Sequence, residues 1–179
     1  MPTTRYNSAA MALHWLTAII IIAFLIFGEN MVESSHGGTA FTRTIHVTLG
    51  SLVLLLTLAR IGLHMVVHPP AHPPGMKHWE VKLSRLAHAG LYALMVALPL
   101  SGWFAASEAA AEDGLAFTYP GGVSLPLPPY SDITEWLGEG HEIASKLMIV
   151  LLALHVLAAL KHQFIDRDNI LARIVPGMR

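Results

Sequence analysis

Residues 139–164 read EGHEIASKLMIVLLALHVLAALKHQF, an apolar run long enough to cross a bilayer as a helix. It carries three histidines, His141, His155 and His162. The first two lie fourteen residues apart, which at 100° and 1.5 Å per residue puts them within about 40° of each other and about 21 Å apart along the axis. One helix face therefore presents two imidazoles at two depths. Such a face can serve two stacked metal cofactors if other helices bring a second histidine to each depth.

The composition sets the class. Of 179 residues, 54% are hydrophobic and 13% charged, with a mean hydropathy of +0.53, outside the range of a soluble domain of this length. Four runs of spanning length fall at about 9–28, 44–67, 84–106 and 139–164, and they use most of the chain. The expected architecture is thus all-α, a single integral-membrane four-helix bundle with an irregular Pro- and Gly-rich cap loop at 108–131. The first run contains His14 and ends in Gly28-Glu29-Asn30 without a small-residue cleavage pattern, so it reads as a retained span. Pro69-Pro70 stops the second helix, and Pro99 implies a local kink in the third. Asn7 or Ser8 is the expected cap of the first helix, and Asp132 with Glu135 resembles a capping box before the fourth.

Loop charges set the orientation. Arg5, Arg60, Lys77, Lys82, Arg85, Lys161, Arg167, Arg173 and Arg179 fall on one side, against Arg43 and Lys146 on the other. Nine against two is a clear positive-inside bias. Both termini are expected in the cytoplasm, and the acidic cap loop outside. The net charge of −1 and the lack of a basic block argue against nucleic acid. The absence of cysteine excludes disulfides, iron–sulfur clusters and c-type haem attachment.

With this topology the histidines sort by depth. His46 and His141 share the outer layer, and His14 and His155 the inner one. A single intramembrane histidine can as well make an interhelical hydrogen bond or line a proton path. Four at two matched depths point to two bis-histidine haem b groups, because paired imidazoles suit the axial positions of a planar macrocycle. A tetrahedral metal would need further ligands, and these layers offer few carboxylates and no thiolates. Gly50, one turn after His46, offers a flat surface for a porphyrin or simply a packing glycine. Arg60 pairs with a haem propionate or snorkels to the interface. His88 is the rival of His14 as inner ligand, or an interhelical hydrogen bonder. His68, His72 and His78 read as solvated loop residues, and the four tryptophans as an interfacial belt.

Several pieces then resemble the bacterial cytochrome b561 family. They are His14-Trp15, Ile45-His46-Val47 with Gly50 and Arg60, Leu86-Ala87-His88 with Leu91-Tyr92, and Pro99-Leu100-Ser101-Gly102. His141-Glu142, His155, His162 and the tail from Asp168-Asn169 to Pro176 complete the pattern. The resemblance implies a di-haem quinone oxidoreductase of the bacterial inner membrane with these same ligand pairs. It also implies ubiquinone near the inner haem and superoxide, or a redox partner, as electron donor at the outer face. His162, and less directly His64, would then relay protons or a hydrogen bond to the quinone, with interface anchoring the ordinary alternative for His162. Two other classes stay open at this stage. One is a cytochrome b anchor subunit linking a larger dehydrogenase or hydrogenase to quinone, and the other is a haem-free transporter using histidines as a relay.

Overall fold

A computed structural model describes residues 5–32, 38–73 and 75–178; Arg179, counted among the basic residues above, lies outside them. Among the described residues, four helices are long and apolar enough to cross a membrane. They are α1 (Ser8–Val32), α2 (Ala40–Val66), α3 (His78–Glu112) and α4 (Asp132–Lys161), with a two-stranded hairpin, β1 (Thr118–Tyr119) and β2 (Val123–Ser124), between α3 and α4. The chain is a multi-pass membrane protein, and its large apolar residues face outward. Leu16, Ile19 and Ile26 on α1, Leu55 and Leu58 on α2, and Leu147, Val150 and Leu154 on α4 are all exposed, as hydrocarbon contact allows.

Local chemistry sets the helix ends. The Asn7 carboxamide oxygen accepts the Ala10 N–H at 2.7 Å and caps α1 as expected. At α2, Thr39 and Thr42 bond reciprocally: the Thr39 N–H donates to Thr42 Oγ1 at 2.8 Å and the Thr42 N–H to Thr39 Oγ1 at 3.2 Å. For α4 the box is shifted by one residue from the expected one. Ser131 is the N-cap, and its N–H donates to Thr134 Oγ1 at 2.7 Å, so Asp132 and Glu135 instead supply negative charge to the first turn.

The helices outrun the expected spans, α3 most of all. Its 35 residues make a rod of about 52 Å, against a hydrocarbon thickness of about 30 Å. Polar turns therefore stand out of the bilayer at both ends, which apolar-run length alone does not reveal. α3 is continuous through Pro99, and the irregular cap begins at Asp113 and not at 108.

The helices pack as two hairpins, α1 with α2 and α3 with α4, joined along α2 and α3. Midway between the two histidine depths, Ile20, Val53, Leu91, Leu94, Met95 and Met148 close into one buried cluster. Met148 is 1% exposed and lies seven residues from both His141 and His155.

Each end of the bundle is closed by loops. At the cap end, the hairpin is held to α2 by Thr44 and Thr118 hydroxyls 3.0 Å apart and by Ser51 and Tyr119 hydroxyls 3.1 Å apart. Trp103 Nε1 donates to the Pro126 carbonyl and Ser107 Oγ to that of Pro128, both at 2.5 Å, fixing the rest of the loop on α3. At the terminal end, Arg5 donates to the Val175 carbonyl at 2.8 Å, the Tyr6 N–H to that of Arg173 at 3.1 Å, and Trp15 Nε1 to that of Ile174 at 2.9 Å. Trp15 therefore straps down the C-terminal tail in addition to any role at the interface. In the α2–α3 loop, burial holds the His72 imidazole below its usual pKa, with Arg85 and Arg173 adding to the effect.

Met148→Ala removes the centre of the buried cluster, and is expected to lower stability by about 2–5 kcal/mol. Unfolding in mixed detergent micelles measures it. An effect near zero would show that this layer does not hold the hairpins together.

Candidate functional site

The cap-side layer is made by His46 on α2 and His141 on α4, one from each hairpin. Their ring centroids are 6.4 Å apart and the rings are inclined at 59°. A nitrogen-to-metal distance of about 2.0 Å on either side of one ion puts two opposed imidazole centroids about 6 Å apart. This pair therefore stands at the spacing of two axial ligands, with no direct bond between the rings to account for it.

The orientation of His141 is fixed from α3. Its Nδ1 lies 2.9 Å from the Leu98 carbonyl oxygen and 3.2 Å from Ser101 Oγ. A carbonyl only accepts, so the proton is on Nδ1 and the lone pair on Nε2, the arrangement in which a histidine ligates through Nε2. Gly102 makes the approach possible: a Cβ there would stand 2.9 Å from His141 Cε1 and 3.1 Å from Nδ1. On the other side Phe24 packs against His46 with ring centroids 4.9 Å apart. His46 Nδ1 is buried with no hydrogen-bond partner, an uncompensated polar atom in an apolar layer.

The terminal-side layer is more crowded. His14 on α1 packs edge-on to Trp15 at 5.2 Å, has a buried Nδ1 without a partner, and lies within electrostatic reach of Arg60, His155 and His88. The ring touching His155 is that of His88, at 5.1 Å and 79°. That is closer than two axial ligands on one metal stand, and both residues belong to the same hairpin. His88 is also satisfied within its own helix, its Nδ1 lying 2.7 Å from the Ser84 carbonyl. The Arg60 guanidinium carbon sits 5.3 Å from the centre of the Tyr92 ring, and its Nε is buried without a partner.

Tyr92 continues to His64, its hydroxyl 3.3 Å from Nδ1, while His64 Nε2 is buried and unbonded. His64 lines a cavity of about 260 Å³ with Arg5, Tyr6 and His68 under the start of α1. His162, two turns beyond His155, is buried, with Nδ1 2.7 Å from Asp168 and 3.0 Å from Asp166. Among the described residues, Glu80, His162 and Asp166 are the one group of three able to ligate a metal ion. Lys161 Nζ already supplies a cation there, at 2.8 Å from Glu80 and 2.7 Å from Asp166.

The residues thus fit a haem held between the hairpins. His46 and His141 face each other across them, Nδ1 of His14 and of His46 lacks a partner, and a Cβ at Gly50 or Gly62 would meet nothing within 4 Å. Sequence reasoning named the histidines and missed what orients them. Gly102 and Ser101 carried no periodic signal, and the Leu98 carbonyl is a backbone group visible only once α3 and α4 are paired.

Residues 5–177 match the family model described as prokaryotic cytochrome b561. Among curated proteins, the chain is 28% identical to "Cytochrome b561 homolog 1" of Escherichia coli K12, over 96% of this chain and 97% of that protein. It is 25% identical to "Probable superoxide oxidase CybB" of Yersinia pestis over 98% of both chains. It is also 28% identical to "Cytochrome b562" of Cereibacter sphaeroides, over 95% of this chain and 94% of that protein. With a family match across almost its whole length and two opposed hairpins of histidine-bearing spans, this chain belongs to the prokaryotic cytochrome b561 family.

Proposed function

We propose that the protein is a di-haem b cytochrome of the bacterial inner membrane, passing single electrons from a donor at the cap end to ubiquinone at the terminal end. Membership of a b-type cytochrome family carries haem b and electron transfer with it. The number of haems, their ligands, the quinone and the donor are the proposal. The observation that carries it is the 6.4 Å separation of His46 and His141 across the hairpins.

His46 and His141 would hold the cap-side group and His14 and His155 the terminal-side one. In each case one ligand comes from the α1–α2 hairpin and one from α3–α4, which a macrocycle lying between the hairpins requires. His88 and His155 share a hairpin and would not straddle it. Bound haem supplies a one-electron iron couple whose potential answers to its ligands and surroundings. If these four histidines hold the groups, the chain's own work is positioning. The Leu98 carbonyl and Ser101 set the His141 ring, and Arg60 offers a cation to propionates. The Ile20, Val53 and Met148 layer keeps water out between the two sites. His162 and His64, at the terminal end, would bond the quinone carbonyls and deliver protons.

The basic bias of the loops supports a cytoplasmic terminal end. Superoxide as the donor rests on the name of the Yersinia relative. The cap end is acidic, and its two cations are not free, since Arg43 is buried with Nε toward the Ala116 carbonyl at 3.4 Å and Lys146 is paired with Glu142 at 2.6 Å. An anionic donor would approach this face against repulsion.

Three outcomes are expected. In reduced-minus-oxidised spectra with a haem count, His46→Ala or His141→Ala loses one haem of two, and His14→Ala or His155→Ala loses the other. Loss of a haem in His88→Ala but not in His14→Ala would reassign the terminal pair. Gly102→Ala should displace the His141 ring and lower occupancy of the cap-side haem alone, read by the same count; full occupancy of both would sink the positioning role. If superoxide is the donor, its rate of haem reduction should rise with ionic strength as the acidic cap is screened, whereas a falling rate would contradict approach at this face.

A further inference from the structure

Beyond Lys161 the last span does not end in an ordinary α-helical turn. Residues His162–Asp166 form a π-helical turn, a rare conformation that recurs at functional sites. Arg167 and Asn169 then both take the left-handed conformation, each at φ 56°, which non-glycine residues adopt uncommonly. The residue between them is Asp168. The His162 carbonyl accepts the N–H of both Arg167 and Asp168, the latter at 3.2 Å, and the Asp168 carboxylate turns back onto His162 Nδ1 at 2.7 Å. Its other oxygen, Oδ1, accepts the Ile170 N–H at 3.2 Å. Two uncommon backbone states, one on either side of Asp168, thus deliver its carboxylate to one imidazole nitrogen, and local strain of this kind persists where the surroundings impose it.

We propose that Asp168 is a positioning residue that holds His162 with its proton on Nδ1, so that Nε2 is the nitrogen presented to the quinone. This rests on the quinone reading above. A carboxylate on Nδ1 fixes the tautomer and stabilises the imidazolium, as the aspartate of a catalytic triad does for its histidine. The other charged groups about His162 are Asp166, also on Nδ1 at 3.0 Å, Lys161 beside it, and Glu80 from the start of α3, which binds Lys161. Asp166 and Glu80 both engage Lys161, whereas Asp168 bonds His162 and the Ile170 N–H.

Reduction of one quinone takes two electrons, arriving singly by way of the haems proposed above, and two protons. One proton passes from Nε2–H of the doubly protonated His162 ring to a quinone oxygen, so that an N–H bond breaks, an O–H bond forms and neutral His162 is left with its proton on Nδ1; the other quinone oxygen takes its proton by way of His64, and both histidines are reprotonated from cytoplasmic water.

The test uses full-length, haem-loaded protein and Asp168→Asn, in which an amide of the same shape keeps Oδ1 for Ile170 but turns an N–H toward His162 Nδ1. Pre-reduced protein is mixed with decylubiquinone or with ferricyanide over a pH series, and ¹⁵N spectra of histidine-labelled protein report the His162 tautomer. Expected for Asp168→Asn are an unchanged haem spectrum and unchanged ferricyanide rate, with oxidation by decylubiquinone slower by about tenfold or more. Asp168→Glu should recover part of the rate. Wild-type rates and pH profile in Asp168→Asn, equal slowing with both oxidants, or loss of haem would each overturn the assignment. Should the wild type fail to reduce decylubiquinone, the quinone reading falls by itself. The ¹⁵N spectra then decide: Nδ1-protonated His162 that changes in Asp168→Asn supports the positioning role, and an unchanged tautomer ends it.

Discussion

Hydrocarbon offers no hydrogen bonds, so each imidazole carried into this bundle has to be satisfied by protein or by something the protein holds. The structure divides its histidines on that basis. His88 is satisfied by the Ser84 carbonyl of its own helix. His141 spends Nδ1 on the Leu98 carbonyl and keeps Nε2, while His14 and His46 keep buried nitrogens with no partner at all. Imidazoles left with unspent nitrogens in this way are what a bound metal group would use. The mid-bundle cluster around Met148 holds the two levels apart.

Much of this was legible in the chain. The fourteen-residue interval from His141 to His155 singled out the residues that the proposal uses as ligands, and His46 and His141 do face each other. The apolar runs were enough for four spans. What was not legible comes from contacts between helices and from backbone states. Gly102 looks like any glycine until α3 and α4 are paired and its missing side chain proves to be the room occupied by the His141 ring. The α4 capping register slipped by one because Ser131 and Thr134 satisfy the first turn as well as Asp132 and Glu135 could. The π-helical turn that brings Asp168 under His162 has no periodic signature at all.

The two ends of the bundle differ in a way that bears on direction. The cap end is acidic, closed by a hairpin bonded to α2 and a loop bonded to α3. Among the described residues, the terminal end gathers Arg5 to Asn7, the C-terminal tail, the α2–α3 loop and a set of titratable groups in mutual contact, His162, Asp166, Asp168, Lys161 and Glu80. Proton-coupled chemistry belongs where such groups and water meet, and simple electron entry needs only proximity to the edge of a cofactor. The asymmetry supports quinone chemistry at the terminal end, whatever the donor at the cap.

Two haems, each held by one histidine from either hairpin, would be seen in electron paramagnetic resonance of the oxidised protein. The expected result is low-spin ferric signals integrating to two spins per chain, as two bis-histidine haems would give. A high-spin signal from intact protein, or an integral of one spin per chain, would contradict it.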